Sequence, residues 1–140
     1  MPETFVLDCS VAARWLLPEP GRESALNLFA RYASGQIDLI APDLLLAEFA
    51  SLIAKRCRRK QLSDSQARQA FALINRAAPR LHDTRPLLAP ALELSLRLSL
   101  SVWDCVYLAL AEEYTCPLLT ADRRLFRSGA GRHPAIRLIR

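Results

Sequence analysis

Thr4-Phe5-Val6-Leu7-Asp8-Cys9-Ser10 sets three β-prone apolar residues in a row and then a lone acid. Phe and Val favour a pleated, packed surface, so residues 5–7 predict a short strand ending at Asp8. Apolar residues 11–17 then begin a helix, which Pro18, Pro20 and Gly21 stop. A similar unit lies far downstream: residues 117–120 read as a short buried strand, followed at once by Asp122. Between these two units, residues 22–33 have helical period with Ala25, Leu28, Phe29 and Tyr32 on one face, and Gly35 is placed to stop them. Residues 37–40 predict a strand, and residues 43–58 a long helix whose basic last turn suits the helix dipole. Ser63-x-x-Gln66 is a capping box opening a helix to about Ala77. Residues 80–82 and 136–139 are further strand segments. Residues 101–113 form a helix capped by Ser101.

Strands alternating with helices imply an α/β fold, with a short central parallel sheet and helices on both faces. The 140 residues fit one domain spanning 1–140, with no linker and no repeat. One segment resists the reading. Residues 92–100, Leu-Glu-Leu-Ser-Leu-Arg-Leu-Ser-Leu, alternate strictly, which argues strand. Leu, Glu and Arg are nevertheless good helix formers, and the pattern leaves both states open.

Composition narrows the function classes. The chain is 51% hydrophobic and 24% charged, outside the range of disordered chains. No apolar run is long enough to span a bilayer, and the first eight residues lack the basic start of a signal peptide. A cytoplasmic protein with reduced thiols at Cys9, Cys57, Cys105 and Cys116 is expected; no pair has CxxC spacing. The net charge of +5 permits an anionic partner such as nucleic acid. Seventeen of the nineteen cations are Arg, which suits bidentate phosphate contacts and equally fits an Arg-rich codon bias.

Four carboxylates stand where the pattern predicts core: Asp8, Glu48, Asp104 and Asp122. Burying such groups is costly unless they are paired or bound to a cation. Each of the three aspartates has a structural explanation of its own. Asp8 could form an Asx turn or a helix cap beside Ser10, Asp104 could complete a capping box begun by Ser101, and Asp122 could cap a helix carrying Arg123 and Arg124. Glu48 has none, because its helical neighbours Leu44, Leu45, Ser51 and Leu52 make an apolar face. Four such acids from four segments suggest an oxygen-ligand site for Mg²⁺ or Mn²⁺.

A strand ending Val6-Leu7-Asp8-Cys9-Ser10, then Pro42 six residues before Glu48, then Val102-Trp103-Asp104 opening a helix, then Leu119-Thr120-Ala121-Asp122, resembles the acidic pattern of PIN-domain ribonucleases. Size and order look like the toxins of VapC-type toxin–antitoxin modules. The resemblance implies a PIN-like domain whose catalytic and metal-binding acids are Asp8, Glu48, Asp104 and Asp122, supported by Ser10 and Thr120. It also implies Mg²⁺- or Mn²⁺-dependent cleavage of RNA, neutralisation by a cognate antitoxin, a homodimer, and a helix over residues 86–98. Cys9 and Cys105 then stand where small residues are common. The competing reading is a non-catalytic PIN-like module that binds RNA or protein. A receiver domain lacks its adjacent acid pair and late Lys here, and a haloacid-dehalogenase-like phosphatase lacks its second Asp, since Ser10 stands there.

An acidic site repels RNA, so phosphate contacts must come from around it. Arg14, Arg123, Arg124 and the run Lys55-Arg56-Cys57-Arg58-Arg59-Lys60 are the candidates, the run being equally what a solvated helix end requires. Trp15 and Trp103 are expected in the core rather than as stacking platforms. His82 and His133 lie outside every motif. Leu28, Phe29 and Tyr32 either face the core or form a groove for a partner helix.

Overall fold

The computed structural model describes residues 2–129 and 133–139. Five strands form one parallel sheet: β1 (Glu3–Leu7), β2 (Ile37–Pro42), β3 (Arg80–His82), β4 (Leu118–Thr120) and β5 (Ile136–Leu138), in the spatial order β3-β2-β1-β4-β5. Phe5 faces Leu39 across the first pairing, and Val6 faces Ile40 on one side and Leu118 on the other. The central strands are buried on both faces, which is why their sequences are runs of apolar residues rather than alternations.

The helices are α1 (Cys9–Leu16), α2 (Arg22–Ala33), α3 (Leu44–Arg58), α4 (Asp64–Ala77), α5 (Leu88–Leu98), α6 (Val102–Tyr114) and α7 (Arg123–Gly129), with a 3₁₀ turn at Arg85–Leu87. The chain runs outward from β1 through β2 to β3, crosses back over the sheet, and continues from β4 to β5. Right-handed crossovers therefore set α1–α4 on one face and α5–α7 on the other. Consistent with that, α6 packs across β1 and β2, while α1 packs against α2, α3 and α4. α6 is buried along most of its length, from Cys105 to Ala111.

The Ser63 capping box forms with both of its hydrogen bonds, and Gly35 takes the left-handed conformation that ends α2. α3 receives its cap from a distance: Thr84 donates to Asp43 Oδ1 and accepts from the Leu44 amide, which ties the start of α3 to the loop after β3. The alternating segment is helical. In α5, Ala91, Leu94 and Leu98 are buried, whereas Leu88, Leu92 and Leu96 face outward. A leucine at every second residue feeds both sides of a helix, so the alternation reports abundance of leucine rather than strand period. Leu28 is buried, and Phe29 and Tyr32, partly buried, pack against the core. Trp15 is buried against Phe29, with ring centroids 5.0 Å apart. Trp103 departs from expectation: its side is 60% exposed, on the first turn of α6.

Candidate active site

β1 and β4 are neighbours in the sheet, but the chain leaves them in opposite directions. Their carboxyl ends therefore flank a topological switch point, where open α/β sheets form a crevice. Asp8 follows β1 and Asp122 follows β4. Asp104 comes from the first turn of α6, and Glu48 from the second turn of α3.

Asp8 and Thr120 are both buried despite their polar side chains. Asp8 occupies the position before α1, yet its carboxylate makes no cap bond. Its Oδ2 instead accepts from Ser10 Oγ at 2.6 Å and from Thr120 Oγ1 at 2.8 Å. Both hydroxyls then accept from backbone amides beyond β4: Ser10 Oγ from Ala121 at 2.9 Å, and Thr120 Oγ1 from Asp122 at 3.0 Å. With their acceptor sides taken by N–H groups, the two hydroxyl protons point at the carboxylate, and the two strand ends are locked together. Burial still dominates and raises the Asp8 carboxyl above its ordinary range; the hydroxyls oppose this, while Asp104 and Asp122 add to it.

Glu48 is half-buried, and its Oε1 accepts from the Tyr107 hydroxyl at 2.5 Å. Burial pushes it up to about 7 against the stabilising Tyr107 bond, with Asp8 and Asp104 raising it further. Asp104 is raised by burial and by Asp122, and lowered by the Ser101 hydroxyl and Arg124. The Ser101 hydroxyl accepts from the Asp104 amide at 3.1 Å, so the cap is present, without the reciprocal side-chain bond of a full box. Asp122 is a cap as well: its Oδ1 accepts from the amides of Arg124 and Leu125 at 2.9 and 3.2 Å. Asp104 and Asp122 thus act on Asp8, Asp8 and Asp104 on Glu48, and Asp122 on Asp104. No trio of His, Cys, Asp or Glu among the described residues is gathered closely enough to chelate a metal unaided. The donors are all hard oxygens, a set that suits a cation bound through one or two carboxylates and several waters.

Residues 5–131 match the PIN domain family. The chain belongs to that family. It is 32% identical to Ribonuclease VapC3 of Pyrobaculum aerophilum over 123 residues, covering 86% of this chain and 91% of that protein. It is 33% identical to Ribonuclease VapC9 of Mycobacterium tuberculosis over 96 residues, covering 69% of this chain and 74% of that protein. In structure it resembles VapBC2 of Rickettsia felis, solved with a DNA fragment from its promoter, at a TM-score of 0.69 and 14% identity over 98% of this chain and 99% of that one. A second crystallised protein, from Pyrobaculum aerophilum, aligns at a TM-score of 0.68 and 19% identity over 94% and 90%. These two likenesses establish the PIN fold.

Within this PIN domain hydrogen bonds join Asp8, Ser10, Thr120 and the Asp122 amide, Glu48 and Asp104 lie within electrostatic reach of Asp8, and Tyr107 adds a further polar contact. Tyr107 carries no assignment from sequence; its hydroxyl is the proton donor that holds Glu48. The available signal was a phenol three residues after Asp104, one helical turn on, in an otherwise apolar stretch. Burial and the neighbouring acids push the Tyr107 hydroxyl and the Cys9 thiol far above their usual ranges, so Tyr107 stays a donor and Cys9 an inert apolar filler. His82 meets Tyr114 edge to face and His133 contacts Glu112; neither contact involves the four acids.

Proposed function

We propose that this PIN domain is an endoribonuclease whose carboxylates Asp8, Glu48, Asp104 and Asp122 hold Mg²⁺ or Mn²⁺ for hydrolysis of RNA phosphodiesters. The observation that carries the reading is Asp8: a buried carboxylate withheld from the helix it precedes and held by two hydroxyls at the sheet's switch point. The names of the VapC relatives, ribonucleases, support the substrate class. When bound, the cation would supply charge neutralisation at the phosphate and acidify the attacking water. The chain's own residues do the rest. Ser10 and Thr120 fix the Asp8 carboxylate, Tyr107 fixes one oxygen of Glu48, and a carboxylate takes the proton lost by water. Arg124, close enough to lower the Asp104 carboxyl, provides positive charge beside the acids. Cleavage of this kind leaves a 5′ phosphate and a 3′ hydroxyl, and no histidine is required.

The same reading includes a homodimer, a cytoplasmic setting for free thiols, and a cognate antitoxin. The likeness to a VapBC toxin–antitoxin structure supports the last of these. An apolar groove between α3 and α4, about 570 Å³ and lined by Ala50, Ile53, Ala54, Ala67 and Phe71, offers a seat for an amphipathic partner helix.

The test is cleavage of a single-stranded RNA by the purified chain with Mn²⁺ or Mg²⁺. Excess EDTA should stop it, and Asp8→Asn should lower the rate at least about a hundredfold, the scale expected for a central electrostatic group, without unfolding the protein. A variant that cuts as fast as wild type at equal purity would show the site to be misassigned.

A further inference from the structure

A charged groove runs along α3 and opens beside Glu48. Its cavity is about 560 Å³ and is lined by Glu48, Ser51, Lys55, Arg56, Arg59 and Gln61. Those α3 positions recur every three or four residues and form one stripe on the helix. At about 1.5 Å rise per residue, Lys55 lies roughly 10 Å and Arg59 roughly 16 Å along the axis from Glu48. The groove therefore has a carboxylate at one end and cations at the other.

The cations are not equivalent. Arg56 is paired with Glu19 in the loop between α1 and α2, so its charge is already matched and serves to hold the groove wall. Lys55 and Arg59 have no ion-pair partner among the described residues. Arg58 and Lys60 share the same helix end and the same favourable dipole, but they do not line the groove. The helix dipole accounts for cations at this end of α3 in general. It does not account for two unpaired cations in a concave track that begins at the acid cluster.

We infer that this groove is the seat of a single-stranded RNA backbone flanking the scissile phosphate, held by Lys55 and Arg59. This rests on the nuclease reading of the acid cluster and names the side from which its substrate is held. A single isolated phosphate has no use for a track this long, whereas a chain of phosphates would place one anion at each cation while another reaches the acids. Ser51 and Gln61 add polar side chains to the lining for sugar hydroxyls. Because both cations sit on one helix face, they follow one backbone rather than the two of a duplex.

The experiment compares Lys55→Ala/Arg59→Ala with Arg58→Ala/Lys60→Ala, which removes the same charge from the same helix end. Anisotropy of a labelled single-stranded RNA of about fifteen nucleotides, in EDTA, reads binding without cleavage. The groove variant should bind roughly tenfold more weakly, and its slope of log affinity against log salt should fall by about 1.4, two contacts at about 0.7 each. In the Mn²⁺ assay the loss should appear in KM rather than kcat. The control pair should change binding less than twofold. Equal losses in both variants, or none in the groove variant, overturn the inference. So does an oligoglutamate peptide that depends on Lys55 and Arg59 when RNA does not, since the groove would then belong to an acidic protein segment. Groove-dependent RNA binding without metal-dependent cleavage would uphold the groove and sink the nuclease reading. Cleavage that ignores both groove cations would do the reverse.

Discussion

The junctions β1–α1 and β4–α7 are built from the same parts and use them differently. Each is a short buried strand, an aspartate one or two residues past its end, and a helix that starts at the residue after the aspartate. At the second junction Asp122 does what an aspartate before a helix ordinarily does, accepting two first-turn amides through Oδ1. At the first, Asp8 leaves α1 without a side-chain cap and turns its carboxylate to Ser10 and Thr120. The cap at Asp122 accounts for one of its oxygens by local structure. Nothing local accounts for a buried carboxylate at Asp8. The contrast singles out Asp8 as a costly buried carboxylate with no capping role, which is what the centre of the proposed site requires.

Thr120 joins the two junctions, since it donates to Asp8 and accepts from the Asp122 amide. Thr120→Val removes both bonds at a fully buried position while keeping the shape. It should cost about 1–3 kcal/mol, the usual penalty for stranding buried partners, read as a lower urea midpoint at unchanged slope. If stability stays within about 0.5 kcal/mol of wild type, the hydroxyl network is incidental and the contrast loses its basis.

Much of this was legible in the sequence because apolar runs, caps and lone acids are local signals. The Ser63 box, the Gly35 stop and the strands at 80–82 and 118–120 follow from a few adjacent residues each. Residues 88–98 were not legible from pattern, because leucine is abundant enough there to satisfy two periods at once; family resemblance gave the helix that the alternation obscured. Tyr107 and the Arg56–Glu19 pair were hidden for a different reason: both are contacts across more than thirty residues, and no local rule ranks one buried phenol or one surface arginine above another. Trp103 was expected in the core rather than as a stacking platform, but the first turn of α6 leaves it over solvent.

The acid cluster should also invert the usual pH dependence. Asp8, Glu48 and Asp104 are all raised in the fold, Glu48 to about 7. Between the ordinary carboxylate range and pH 7 the native state thus binds more protons than the unfolded chain, so stability falls as pH rises through that window. In EDTA the Tm should be several degrees higher at pH 5 than at pH 7.5, and Glu48→Gln should flatten the profile. A flat wild-type profile would mean that Asp8, Glu48 and Asp104 are well solvated and do not press on one another.

A cation that binds the folded state should relieve the same repulsion. At about ten times its Kd, Mn²⁺ contributes roughly 1.4 kcal/mol, or a Tm rise on the order of 3–6 °C for a domain this size. Asp104→Asn keeps a near-isosteric side chain at the third position of α6. It should raise the metal-free Tm above wild type and shrink the Mn²⁺-induced rise. A wild-type melt indifferent to millimolar Mn²⁺ and Mg²⁺ would leave Asp104 a helix-start residue and nothing more.

The smallest effect tests the contrast most directly. Asp122→Ala removes the acceptor for two α7 amides and should cost about 1 kcal/mol, whereas Asp122→Asn keeps a capping oxygen and should stay within a few tenths. At Asp8 the order changes, because no amide of α1 depends on its side chain. Asp8→Asn relieves a raised carboxyl and keeps an acceptor for Ser10 and Thr120, so at pH 7.5 in EDTA it should melt at or above the wild-type temperature. Thermal melts of the three variants under one buffer give the comparison. If Asp8→Asn instead loses as much as Asp122→Ala, then Asp8 serves the fold as an ordinary junction residue, and the argument from its misplaced charge fails.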